Sequence, residues 1–221
     1  SGTITANGNA AATNFNPFNT DINTVRGQES GYCTWNPLVK GPRNSWTQSS
    51  ATFSEGNLKL VLTGSGDDVA GTMSVDSGKW YYEIKLDTAA NHGAGWTLYD
   101  DFISTTYSGS TQGIVNSDGH YGTAESSSSS IIVTRGSTAS ATNQFNDGST
   151  IGYAFDIDAG TMKIYVDGIF ETTITSIPSG TYVPIFGDDS STDAAGTANF
   201  GQKPFKFPPP DGFQPLNLAN T

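Results

Sequence analysis

Cysteine, histidine and positive charge are scarce in this 221-residue chain, with one Cys, two His and ten Lys and Arg. A lone Cys33 has no partner for an intrachain disulfide, and one thiolate cannot build a zinc site. Between Tyr32 and Thr34 it reads as a small buried side chain rather than a nucleophile. The cations face 21 Asp and Glu, for a formal net charge of −11. That charge favours solubility and repels phosphate backbones and anionic lipid, so neither nucleic acid nor a membrane surface is expected as a partner. No apolar run approaches the ~20 residues of a membrane-spanning helix, and no membrane insertion is expected. No signal peptide opens the chain, and Ser1-Gly2 is compatible with a cut made in a longer protein. Helix formers are too few to repeat an apolar stripe over three turns.

What is abundant points the other way. The chain has 26 Gly, 9 Tyr and 12 Phe, and only 14% of its residues are charged. This is the composition of strands and turns, and the fold class it predicts is all-β. Residues 1–30, rich in Asn, Thr and Ala, read as an extended N-terminal arm. From residue 51 the alternation is regular. Leu58, Leu60 and Leu62 share one face of a strand, and Trp80, Tyr82, Ile84 and Leu86 share one face of the clearest amphipathic strand. Ile151, Tyr153, Phe155 and Ile157 alternate next. Asp158-Ala159-Gly160 turns into Met162, Ile164 and Val166, and Asp167-Gly168 turns into Phe170, Thr172 and Ile174. Val183, Ile185, Ala198 and Phe200 supply late strands. Pro204 and Pro208-Pro209-Pro210 cannot donate to a central ladder, so residues 208–221 are expected to run over the surface. Short strands at this spacing predict one two-sheet antiparallel sandwich over residues 31–207.

Four motifs in this order resemble SPRY (B30.2-like) domains. Ser77-Gly78-Lys79-Trp80-Tyr81-Tyr82-Glu83-Ile84 is similar to the family's opening signature. Gly148–Asp156 followed by Gly160–Gly168 resembles the second, with Asp167-Gly168 where the family usually has Asn-Gly. Tyr182–Phe186 and Ala198-Asn199-Phe200-Gly201 resemble its closing strands. The resemblance implies a concanavalin-like jelly roll and a binding module whose partners are held by loops at one end. The flanks Asn16–Gln28, Trp35–Leu38, Asn199–Phe205 and the Pro-Pro-x-Gly-Phe ending at Phe213 resemble SPRY-bearing proteins of tailed phages, especially marine ones. That implies a virion exterior, or otherwise an extracellular place: a tail fibre, a receptor-binding tip or a capsid decoration.

The residues themselves offer little for catalysis. A glycosidase needs two carboxylates ~5–9.5 Å apart in a cleft. Glu83 and Asp87 share a strand face, but Lys85 between them marks an exposed charged face. His92 and His120 lie in Gly-rich stretches with no Ser or Cys motif beside them, so no triad is expected. Asp188, Asp189 and Asp193 surround a turn that can offer oxygen ligands to calcium, although acids in such turns also serve turn geometry. Calcium is the one cofactor considered. Aromatic and imidazole residues in turn-rich stretches are the ligand-binding candidates: Trp96, Tyr99, Tyr107, His120 and Tyr121.

Three functions remain in order. The first is non-catalytic recognition of a host surface protein or glycan by loops around Trp96–Tyr107, His120–Glu125 and Asp188–Asp193. The second is a purely structural virion module joined to other virion proteins, with homo-oligomers compatible with either. An enzyme comes third.

Overall fold

A computed structural model describes residues 31–38, 51–63, 68–103, 120–126, 129–188, 193–218 and 220–221. Two sheets form. The eight-stranded one contains β1 (Thr52–Ser54), β2 (Lys59–Leu62), β4 (Lys79–Thr88), β9 (Thr150–Asp156), β10 (Thr161–Val166), β11 (Ile169–Ile174), β13 (Ala194–Asn199) and β14 (Gln214–Pro215). Its order is β1-β2-β13-β4-β9-β10-β11. The six-stranded one contains β3 (Asp68–Ala70), β5 (His92–Leu98), β6 (His120–Ser126), β7 (Ser129–Thr134), β8 (Thr138–Ser140) and β12 (Tyr182–Asp188), ordered β3-β12-β5-β6-β7-β8. A five-residue helix, α1 (Tyr99–Ile103), follows β5 directly. The fold is therefore the all-β, antiparallel two-sheet sandwich expected.

Period-two patterning decides which face each strand buries. Trp80, Tyr82, Ile84, Leu86, Ile151, Tyr153, Phe155, Ile164 and Val166 lie in one core cluster, as the alternation predicts. Rings from both sheets interlock there. Tyr82 stacks on Tyr153 and Phe200, with centroids 5.1 Å apart in each case, and meets Trp96 of the facing sheet edge-on at 5.5 Å. Tight turns hold the meander in register. Asp167 and Gly168 have φ of 49° and 79°, the two left-handed residues of a hairpin turn that matches strand twist, which Asp tolerates and Gly adopts freely.

Two expectations change. Residues 208–221 stay on the surface only as far as Phe213. Gln214 and Pro215 then pair in parallel with Trp80 and Tyr81, and Leu216 is buried. The ladder is open to them because β13 covers β4 only from Glu83 onward. Glu83, expected on an exposed charged face, is buried instead. Its carboxylate accepts hydrogen bonds from the Tyr81 hydroxyl at 3.1 Å and from the backbone N–H groups of Lys206 and Phe207, both at 2.9 Å. Three donors offset the cost of burying the carboxylate and strap residues 206–207 across the outer face of the sheet.

Candidate functional site

A built surface lies where β5 ends. Tyr182 stands opposite Leu98 in the ladder, and Val75 bridges to Tyr182 from the other side. The Tyr99 amide donates to the Thr181 carbonyl at 2.8 Å, which carries the chain straight from strand into α1. Phe102 anchors the helix in a small cluster with Ala70, Val183 and Ile185. Asp101 accepts from the Arg135 guanidinium at 2.5 Å, tying α1 to the turn after β7. These anchors leave Tyr99 39% exposed on a fixed backbone.

Tyr99 edges a cleft of about 160 Å³ whose other walls are Asn36, Gly71–Ser74, Phe102 and Val183. Ser74 separates it from a cleft of about 350 Å³ over Val75 and Trp80, walled by Asp76–Lys79, Thr181 and Gln214. The Asp76–Lys79 wall of the larger cleft is held. The Trp80 indole N–H donates to the Ser77 carbonyl at 2.6 Å, and the Gly78 amide donates to Asp158 Oδ1 at 3.2 Å. A pair of open clefts of mixed polar and apolar lining beside an exposed tyrosine suits a polypeptide or sugar surface rather than a small enclosed substrate.

Of the ligand-binding candidates, Tyr99 is thus the exposed one among the described residues. Tyr107 lies outside them. Trp96, His120 and Tyr121 are corrected: they sit within β5 and β6, and all three are buried. Gly95 and Gly122 face each other in register, and a Cβ on Gly122 would lie 2.0 Å from the Ala94 carbonyl oxygen. These glycines permit two backbones to approach within a sheet, and they do not end its strands.

Nor do the described parts of the three stretches meet. Asp188 stands opposite His92, at the far end of β5 from Leu98, roughly 20 Å away at ~3.4 Å per residue. Asp188 is buried and Asp193 exposed, while Asp189 falls outside the described residues. Among the described residues no three His, Cys, Asp or Glu gather to hold a metal ion.

That far end contains a buried polar chain which sequence reasoning missed. His92 Nδ1 lies 2.6 Å from the Ala89 carbonyl, so it carries the proton and donates. Nε2 is then the acceptor for the Thr123 hydroxyl at 3.4 Å, and Thr123 accepts from the Tyr153 hydroxyl at 2.6 Å. Burial, with His120 as a lesser contributor, pushes the His92 pKa down to about 4, so the ring is neutral near pH 7. Cys33 is buried as expected, and burial pushes its thiol up to about 11, which leaves it inert.

Antiparallel sheets stacked about an aromatic core, with loops at their ends, define the β-sandwich class. Within it the fold is SPRY-like. The chain is similar to the crystal structure of the TRIM65 PSpry domain, with a TM-score of 0.56 and 12% identity over 77% of this chain and 93% of that one. It is also similar to the SPRY domain of human HERC1, at 0.53 and 16% over 70% of this chain and 95% of that one. A third likeness, to stonustoxin, has a TM-score of 0.53 and 20% identity over 77% of this chain and 27% of that one. No family model and no curated protein sequence matches the chain.

Proposed function

We propose that the chain is a non-catalytic binding module that engages a protein partner through the Tyr99 end of its sandwich. The observation carrying this reading is the exposed tyrosine beside two adjoining clefts, all held on ordered backbone. Tyrosine brings a large amphipathic surface at low entropic cost, which is why it concentrates at interface centres. The SPRY-like fold supports a protein partner, and the chemistry of the described interior supports binding without turnover, since His92, His120 and Cys33 are all sealed from solvent. The phage-like flanking sequences extend the proposal to its setting. The domain is displayed on a virion exterior and recognises a host surface protein, with a surface glycan as the competing ligand. The test is attachment of the purified chain to host cells, with and without protease or glycosidase treatment of the cells. Protease-sensitive attachment that Tyr99→Ala abolishes supports the reading. Attachment unaffected by that substitution overturns the site.

One observation favours a structural virion module as the second reading. Residue 31 is clasped to the C-terminal segment, with the Leu218 amide donating to the Gly31 carbonyl at 2.9 Å and Tyr32 bridging Asn217. The backbone at residue 31 is therefore held to the C-terminal segment, which suits a preceding arm that clasps a neighbouring subunit. Loss of incorporation into particles on deleting residues 1–30, with host attachment of the isolated domain absent, would favour it.

A further inference from the structure

An Asp-Gly pair carries a latent reaction, because no Cβ on the glycine shields its amide nitrogen from the aspartyl side chain. Three such pairs lie among the described residues, and each occupies a turn. At Asp147-Gly148 the Ser149 amide donates to the Asn146 carbonyl at 2.9 Å, and Gly148 has φ of 88°. At Asp211-Gly212 the Phe213 amide donates to the Pro210 carbonyl at 3.1 Å, and Gly212 has φ of 83°. Both are type II turns with Asp and Gly as the central pair. Asp167-Gly168 is the hairpin turn between β10 and β11.

The fold locks two of the three. Asp147 Oδ1 accepts from the Ala89 amide at 2.8 Å, and the Gly148 N–H donates to the Leu86 carbonyl at 2.7 Å, so both reacting groups are engaged. Asp167 Oδ1 accepts from the Thr150 amide at 2.9 Å and faces Lys206 at 3.5 Å, while the Phe207 ring covers Gly168. Asp211 and Gly212 are both exposed. Among the described residues the Asp211 carboxylate has no partner, and the Gly212 N–H donates to no carbonyl. A Cβ on Gly212 would meet nothing within 4 Å. Pro208-Pro209-Pro210 just upstream have no N–H to donate, so one backbone hydrogen bond closes the turn. Opening it disturbs no core contact and is a low-energy local fluctuation.

We propose that Asp211 is a site of spontaneous aspartate isomerisation. With the turn open, the Gly212 amide nitrogen bonds to Cγ of the protonated Asp211 carboxyl. The carboxyl hydroxyl leaves with the amide proton as water, and a five-membered succinimide results. Water then adds at either ring carbonyl and breaks its bond to nitrogen. Cleavage at the side-chain carbonyl restores aspartate, and cleavage at the main-chain carbonyl leaves isoaspartate of the same mass. Isoaspartate inserts Cβ into the main chain between two anchors: Lys206 and Phe207, held by Glu83, and Gln214 and Pro215, paired with Trp80 and Tyr81. A strap one atom longer does not keep that pairing in register, so isomerisation loosens residues 208–215.

Ageing the full chain in mildly acidic buffer, followed by tryptic mapping with electron-transfer fragmentation, tests this. The three pairs fall in separate peptides, residues 136–163, 164–206 and 207–221. Isoaspartate should build up in 207–221 at least ~10-fold faster than in the other two, where hydrogen bonds hold the reacting groups. The same ageing of the tryptic digest, with no fold left, should bring the three rates together. Asp211→Glu, whose ring would be six-membered, should remove the product and leave the melting temperature unchanged. Protease should cut residues 203–213 faster in aged than in fresh chain, and Asp211→Glu should cancel that difference. Equal accumulation at the three sites of the folded chain, or none at Asp211, overturns the proposal. The same ranking in the digest also overturns it, since sequence and not the fold would then set the order.

Discussion

Trp96 and Tyr99 are three residues apart on one continuous stretch, yet they belong to regions with opposite rules. Trp96 is fully buried between the sheets, touching rings from Tyr82 and Phe155. Its surroundings are close-packed, so its size is dictated by neighbours that cannot move. Tyr99 has left the ladder. Its backbone is pinned by Thr181 while its ring meets solvent, so its identity answers to nothing inside the fold. The boundary between interior and surface therefore falls at the junction of β5 and α1. Exposure on a rigid backbone, and not aromatic character, separates the two roles.

The contrast is broken most directly at Trp96. Trp96→Ala should cost about 3–5 kcal/mol through the cavity it leaves, seen as a lower urea midpoint, and Trp80→Ala should fall in the same range. A cost below ~1 kcal/mol for Trp96 would mean that the interior is not close-packed there. Next in size is the response to acid. His92 takes a proton at about 4 in the fold against 6.5 when free, so between those values the unfolded chain binds more protons. Stability should be complete above pH 6.5 and fall as the pH drops toward 4, by up to ~3 kcal/mol. His92→Gln should flatten that slope in denaturation measured across the window, whatever it costs at pH 7.

Glu83→Gln sharpens the comparison from the outer face. The neutral amide keeps its shape but loses the charge in its bonds from Lys206 and Phe207, for an expected loss of ~1–2 kcal/mol. Faster proteolysis within residues 203–213 is the measurement, since the strap should loosen before the sandwich does. The smallest expected effect on stability is at Tyr99. Tyr99→Ala should stay within ~0.5 kcal/mol of the parent while removing partner attachment. A large stability loss there would return Tyr99 to the interior's rules.

Much of the fold was legible because its strands are amphipathic. Leu60 and Leu62, then Trp80 through Leu86, then Ile151 through Phe155 each point every second side chain at the same core, and period two shows in a single sequence. The six-stranded sheet was harder. His92-Gly93-Ala94-Gly95-Trp96-Thr97-Leu98 is buried on both faces for most of its length, so no alternation marks it. Of the candidate site, Tyr99 was visible as an aromatic next to Asp100-Asp101. The clefts beside it were not, because their walls come from residues 36, 70–80, 99, 102, 181, 183, 214, 220 and 221, which no local pattern links.

The sequence by itself determined the fold class, the core-facing set of the long strands and the two-residue turn at Asp167-Gly168. Each rests on interactions between near neighbours, where spacing alone carries the physics. Tertiary structure alone decided three further things. Glu83 is buried because a segment more than a hundred residues away supplies its two amide donors. β5 and β12 end on opposite sides of their sheet because antiparallel pairing sets Asp188 against His92 and Tyr182 against Leu98. Among the described residues β11 is an edge because the strand order stops there, a property of the whole sheet that no residue within Ile169–Ile174 encodes. Long-range pairing makes those choices, since whether a group is buried or open depends on which distant strand arrives beside it.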